Sequence, residues 1–151
     1  MLAAAVAATV LVAMMILLHY EVLRLASNLV PEVFGLHPRA RVVLVVFACF
    51  AAHTAEVWLF GVAYYLFVNL LGLGSFGGAY GNTLFDCVYF SIVTYTSLGL
   101  GDVFPQDNLR LIAGVEALVG LLLIGWSASF TYIAMQRFWP LHTERQHRRR
   151  S

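Results

Sequence analysis

The chain has 151 residues, 61% of them hydrophobic and only 11% charged, a balance that excludes an ordinary water-soluble globular domain. Its formal net charge of +1 gives no support to a nucleic-acid partner, and the placement of the charges says more than their sum. Residues 1–18 form an apolar run with no basic stretch before it and no clear small-residue cleavage site after it. This predicts an uncleaved first membrane span whose alanines allow close helix packing. From His19 to Arg41 the pattern changes: Val22, Leu23, Leu25, Ala26, Leu29 and Val30 recur at helical spacing, with Glu21, Arg24 and Asn28 between them. Two readings fit, an amphipathic helix lying at the membrane interface or a first span that projects beyond the bilayer.

A second apolar run, Val42 to about Leu71, is longer than the hydrocarbon core requires and predicts a tilted or protruding helix. It carries His53 and Glu56, three residues apart and on neighbouring parts of one face. Ionisable groups inside a span are costly, so these two are candidate proton sensors. The alternative is a buried hydrogen-bonded pair joining helices, or a carboxylate facing a watery crevice. Gly72 to Asn82 is glycine-rich and uncharged and predicts a flexible external loop. Leu84–Tyr95 is apolar and aromatic but too short to span, so it predicts a re-entrant helix capped by Asn82 or Thr83. A third span, Leu109–Phe138, is rich in small residues and contains a further intramembrane carboxylate, Glu116. Asp107 or Asn108 is placed to cap it.

Between the short helix and the third span lies Thr96-Ser97-Leu98-Gly99-Leu100-Gly101-Asp102. Glycines at alternate positions let an extended backbone turn successive peptide groups in directions that a β-carbon would penalise. Such a chain can aim consecutive carbonyl oxygens one way, and several copies around an axis would stack rings of oxygens able to replace a cation's hydration shell.

These residues resemble the pore loop of the potassium-channel family, whose filter reads Thr-Val-Gly-Tyr-Gly-Asp. Ser97 to Asp102 occupy the matching positions, Phe90-Ser91-Ile92-Val93-Thr94 is similar to the family's pore-helix sequence, and Pro105 stands where many members have a proline. The departures are Ser97 for Thr, Leu98 for Val and Leu100 for Tyr. The resemblance covers roughly 42–138 and implies a domain of outer helix, turret, pore helix, filter and inner helix. Residues 1–41 then form an added transmembrane helix and amphipathic linker, and 139–151 a short basic tail. The implied fold is an all-α membrane protein, three transmembrane helices plus a re-entrant pore helix and filter, assembled as a homotetramer.

On this resemblance the ion-binding residues are Thr96, Ser97, Leu98, Gly99, Leu100 and Gly101, with K+ held at Ser97, Leu98, Gly99 and Leu100. Tyr95, Asp102 and Glu116 are expected to support the filter, Glu116 from behind the pore helix. Gly120 is the candidate gating hinge, and Glu116 joins His53 and Glu56 as a candidate proton sensor. Leu100 has no hydroxyl with which to brace the filter, which leaves two expectations, a filter held by packing against the pore helix or a more flexible one. The implied activity is potassium-selective conduction, with permeant K+ and no cofactor. A weakly selective cation channel and a non-conducting subunit that keeps the pore fold are the alternatives. No hydrolytic, redox, phosphate-binding or metal-ligand motif points to an enzyme.

All nine basic residues are arginines. Arg24, Arg39 and Arg41 lie between the first two spans, Arg137, Arg145 and Arg148-Arg149-Arg150 follow the third, and only Arg110 falls near the filter side. By the positive-inside rule the first loop and the tail are cytoplasmic, which puts the N-terminus and the pore loop outside, as in a bacterial inner membrane. The tail's arginines are expected to meet anionic lipid headgroups. Cys49 and Cys87 fall in apolar helices and are expected to be buried, inert thiols.

Overall fold

The computed structural model describes residues 2–32 and 37–138, so the arginine-rich tail and its expected lipid contacts lie outside the described residues. Among the described residues four helices and two short strands follow one another: α1 (Leu2–Glu32), α2 (Pro38–Asn69), β1 (Phe76–Gly78), α3 (Leu84–Tyr95), β2 (Val103–Pro105) and α4 (Leu109–Phe138). Helices α1, α2 and α4 are long and apolar enough to cross a membrane, and α3 is not. The protein is an all-α, multi-pass membrane protein. At helical rise the long helices reach about 45–48 Å, well beyond a hydrocarbon core of about 30 Å.

Helix α1 does not break at Leu18. Its buried positions are Ala4, Ala8, Leu11, Met15, His19, Leu23, Ala26 and Val30. They recur every three or four residues, so one stripe runs the length of the helix. Of the two readings of the segment after His19, the structure takes the continuous first helix. Glu21, Arg24 and Asn28 lie off the stripe, which is why that stretch looks like a separate amphipathic element. Helix α2 begins with Pro38 in its first turn after an extended His37, a position where a missing N–H leaves no bond unmade.

Helix α1 packs against α2 and α4, and α3 wedges between α2 and α4. The main core joins Met15 of α1, Phe60 and Tyr64 of α2, Phe90 and Tyr95 of α3, and Leu109, Ile112 and Leu123 of α4. A smaller cluster, Leu23, Val30, Val45, Cys49 and Ala134, closes the other end. The end of α1, the start of α2 and the end of α4 therefore meet, and the Arg41 and Arg137 guanidiniums lie 5.7 and 5.5 Å from the Phe138 ring. Cys49 and Cys87 are buried free thiols.

The glycine-rich loop is more ordered than its composition suggests. Strand β1 pairs antiparallel with β2, Gly77 opposite Phe104. The Ala79 and Gln106 amides donate to the Asp102 and Ser75 carbonyls at 2.8 and 2.9 Å. Alternating side chains are too few here for a strand pattern to stand out in the sequence. The pairing ties the segment ahead of α3 to the chain that follows Gly101.

Candidate functional site

The site begins with the fixed ends of α3. Thr83 forms a capping box: the Asp86 amide donates to Thr83 Oγ1 at 3.1 Å, and the Thr83 amide donates to Asp86 Oδ2 at 3.0 Å. Two otherwise orphaned N–H groups are thus satisfied reciprocally. Asn82, the other expected cap, instead takes a left-handed φ of 60°.

At the far end Thr96 caps the helix, and its hydroxyl donates to the Ile92 carbonyl at 2.7 Å. The Ser97 amide donates to Thr94 O at 2.9 Å and the Leu98 amide to Val93 O at 3.0 Å. This is a Schellman closure, with serine at the left-handed position that usually falls to glycine.

From there positive φ recurs at every second residue: Ser97 at 57°, Gly99 at 61° and Gly101 at 79°. An ordinary strand turns successive peptide groups to opposite sides. Alternating the sign of φ removes that reversal and lets neighbouring carbonyls share a direction. A non-glycine residue pays roughly 1–2 kcal/mol for the left-handed region, which explains glycine at two of the three positions. Residues 96–102 are exposed along their whole length. Leu98 and Leu100 are 62% and 59% exposed in the single chain. Among the described residues of one chain these two apolar side chains are left largely uncovered.

A direct brace on this segment runs through its carboxylate. The Tyr89 hydroxyl donates to Asp102 Oδ2 at 2.7 Å, from the first half of α3. That bond holds the Asp102 carboxyl below its ordinary range. A depressed carboxyl stabilises the fold above its ordinary value, and that contribution is lost as pH falls through the depressed one. Tyr89→Phe is therefore expected to move the Asp102 titration to higher pH. Following the Asp102 carboxyl carbon by NMR while lowering pH checks this, and an unmoved midpoint would contradict the brace.

Two buried polar clusters stand behind α3. In the first, Glu116 of α4 is fully buried. It accepts from Ser91 of α3 at 2.5 Å and from Tyr64 of α2 at 2.6 Å. The Ser91 hydroxyl also lies 3.0 Å from the Val57 carbonyl of α2. One carboxyl thus ties the back of α3 to both neighbouring helices, and each polar group of this cluster has a partner. One turn further along α4, Gly120 lies against the end of α3, where an added Cβ would overlap the Tyr95 carbonyl oxygen. Helix α4 runs unbroken through Gly120.

The second cluster gathers four helices. Glu56 of α2 is fully buried. Its Oε1 lies 2.8 Å from His19 Nδ1, and its Oε2 lies 3.1 Å from His53 Nδ1 and 2.6 Å from the donating Tyr95 hydroxyl. His53 Nδ1 is also 2.7 Å from Tyr95 Oη. Ser127 of α4 reaches His19 Nε2 at 3.3 Å. Tyr95, expected to support the filter, thus anchors the end of α3 to α2 through its ring and touches α4 through its carbonyl.

The structure therefore brings His53, Glu56 and Tyr95 together and places Glu116 in a separate cluster. Sequence reasoning missed His19, Tyr64, Tyr89, Ser91 and Ser127. His19 carried a usable signal, since it falls on the stripe between Met15 and Leu23. The hydroxyl groups carried none, because an aromatic or small hydroxyl residue in an apolar helix looks like ordinary packing.

A family model described as an ion channel matches residues 41–137. No curated protein matches the chain, and no solved structure does.

Proposed function

Because the chain belongs to the ion-channel family, with a two-helix pore domain of the potassium-channel type, we propose that it conducts potassium through a homotetrameric pore. Each chain supplies one wall of the filter, the backbone carbonyls of Ser97, Leu98, Gly99 and Leu100, with Thr96 and Gly101 at its two ends. The observation that carries this reading is the exposed backbone of alternating φ sign, held at the end of a helix whose back is buried. One such wall cannot surround an ion, and Leu98 and Leu100 need a neighbouring chain to cover them. A groove of about 320 Å³ beside this wall, bounded by Thr94, Gly99, Ala113 and Ala117, offers room for a neighbour's side chains.

The negative end of α3 points towards the inner end of the wall, which favours a cation waiting there. Asp102, Tyr95 and Glu116 hold the wall at its outer end, its base and its back. The helix ends that carry Arg24, Arg39, Arg41 and Arg137 lie away from the filter, with Arg110 alone on the filter side, which supports a cytoplasmic face for them and an external pore loop. Residues 42–138 make the pore domain in this reading, and residues 1–41 are an addition to it.

A weakly selective cation channel is the second reading, favoured by Leu100, which lacks a bracing hydroxyl. Purified protein in liposomes, given potassium and then sodium gradients of equal size, separates the two. Potassium flux well above sodium flux is expected. Equal fluxes would overturn potassium selectivity, and no flux from protein shown to be tetrameric would overturn conduction.

A further inference from the structure

We propose that His19, His53 and Glu56 form a binding site for one divalent transition-metal ion of the zinc type per chain, distinct from the conducting path. The ligand atoms these three residues offer all lie within 4.8 Å of one another. Two of the separations are 2.8 Å, His19 Nδ1 to Glu56 Oε1, and 3.1 Å, His53 Nδ1 to Glu56 Oε2. Zinc bonds to nitrogen and oxygen of about 2.0–2.1 Å place tetrahedral ligands roughly 3.3 Å apart. The two histidine–carboxylate separations, made to different oxygens of Glu56, lie within about 0.5 Å of that edge, and the imidazole–imidazole pair, within 4.8 Å, closes on the ion by at most about 1.5 Å.

Donor chemistry narrows the ion. Two imidazoles and one carboxylate make a set that zinc accepts while leaving a fourth position open. Imidazole nitrogen suits zinc, cobalt or nickel, whereas magnesium and calcium take oxygen ligands. Potassium is excluded from this pair of nitrogens on the same ground, so the site is no extension of the filter.

The surroundings match those of a metal site as well. A histidine that binds a metal through one nitrogen is usually held through the other. Here His19 Nε2 has Ser127 Oγ at 3.3 Å. With Nδ1 on the metal, the proton sits on Nε2 and is donated to Ser127. Without the ion, the same atoms hydrogen-bond to one another and Tyr95 donates to Glu56, so no buried polar atom of the cluster is stranded in either condition. His19 and Glu56 are fully buried, while the His53 side chain is 21% exposed. His53 borders a cavity of about 410 Å³ shared with Thr54, Trp58 and Tyr95, which supplies an entry route and space for a water as fourth ligand. The ion would join α1 to α2 beside Tyr95, the residue immediately ahead of Thr96.

The test is a cobalt titration of the purified full chain after metal stripping. One equivalent per chain with tetrahedral visible absorption bands, displaced by zinc, is the expected result. His19→Gln, His53→Gln and Glu56→Gln should each abolish those bands. Ser127→Ala, which removes only the partner of His19, should weaken affinity about 10–100-fold. His37→Gln, outside the cluster, should leave both bands and affinity unchanged. Wild-type protein without tetrahedral bands would overturn the proposal, whatever the variants do. Bands of equal strength in His19→Gln or Glu56→Gln would also overturn it, by moving the metal to other histidines. The readout needs no ion flux, so its failure and that of the conduction proposal are separable.

Discussion

Gly99→Ala is expected to remove potassium flux from reconstituted protein while tetramers still form. At Gly99 φ is 61°, and an added Cβ meets nothing within 4 Å in the single chain. Steric room is therefore not the first constraint; the backbone conformation is. Holding an L-residue in that region costs roughly 1–2 kcal/mol, about 4–8 kcal/mol for a ring of four chains. The cheaper response is for the peptide group to rotate out of the left-handed region. That rotation breaks the alternation of φ running through Ser97, Gly99 and Gly101, and turns one ring of carbonyls away from the axis. Losing even half of that energy from ion coordination corresponds to a flux decrease of at least about 30-fold, since each 1.4 kcal/mol is a factor of ten.

Gly72→Ala is the matched control. Gly72 has a φ of 57° and equally open surroundings, but it lies in the loop after α2. It carries the same local penalty and is expected to keep its flux. Equal flux loss in both variants would mean that backbone strain acts through folding, and the filter assignment would fail.

How much of this was readable from the sequence depends on what the membrane enforces. Spans must be long and apolar because no water can satisfy their backbone groups within the bilayer, so the second and third spans and the short pore helix stand out. The helix expected over Leu84–Tyr95 has those ends in the structure, where Thr83 and Thr96 cap it. Alternate glycines were equally visible, since they state a backbone requirement directly. The extent of α1 was harder. Polar residues on its uncovered side hid a stripe that continues to Val30, so the pattern left one continuous helix and two separate elements equally open.

Side-chain networks were least legible. His53 and Glu56 drew notice because they are neighbours on one helix. Their partners His19 and Tyr95 lie 37 and 39 residues from Glu56, and no periodicity links positions across separate helices. The same holds for Tyr64, Ser91 and Glu116, which meet only because α3 is wedged between α2 and α4. The Tyr89–Asp102 brace adds a further lesson. The missing hydroxyl at Leu100 drew attention to the filter's apolar side chains, while the hydroxyl that does reach the segment comes from the helix before it.

Gly120→Ala is expected to destabilise the protein, while Gly125→Ala stabilises it slightly. Both positions lie inside α4, where alanine improves helix propensity by about 1 kcal/mol over glycine. At Gly125 an added Cβ meets nothing within 4 Å, so within the chain that gain stands alone. At Gly120 the Cβ would overlap the Tyr95 carbonyl oxygen and approach the Tyr95 carbonyl carbon to 3.1 Å. The obstacle is backbone, and it cannot rotate aside as a side chain would. Helix α4 must withdraw from the end of α3, an overpacking cost of about 1–3 kcal/mol that outweighs the propensity gain. Withdrawal also loosens Tyr95, the last helical residue before Thr96 and Ser97, so ion flux should fall together with the thermal midpoint. A hinge role for Gly120 predicts a different pair of results: an unchanged or raised midpoint, with flux lost because α4 no longer bends. Measuring the denaturation temperature and the potassium flux of the two alanine variants decides between them. A lowered midpoint for Gly120→Ala alone assigns the glycine to the contact with Tyr95, and a raised midpoint in both variants would sink that assignment.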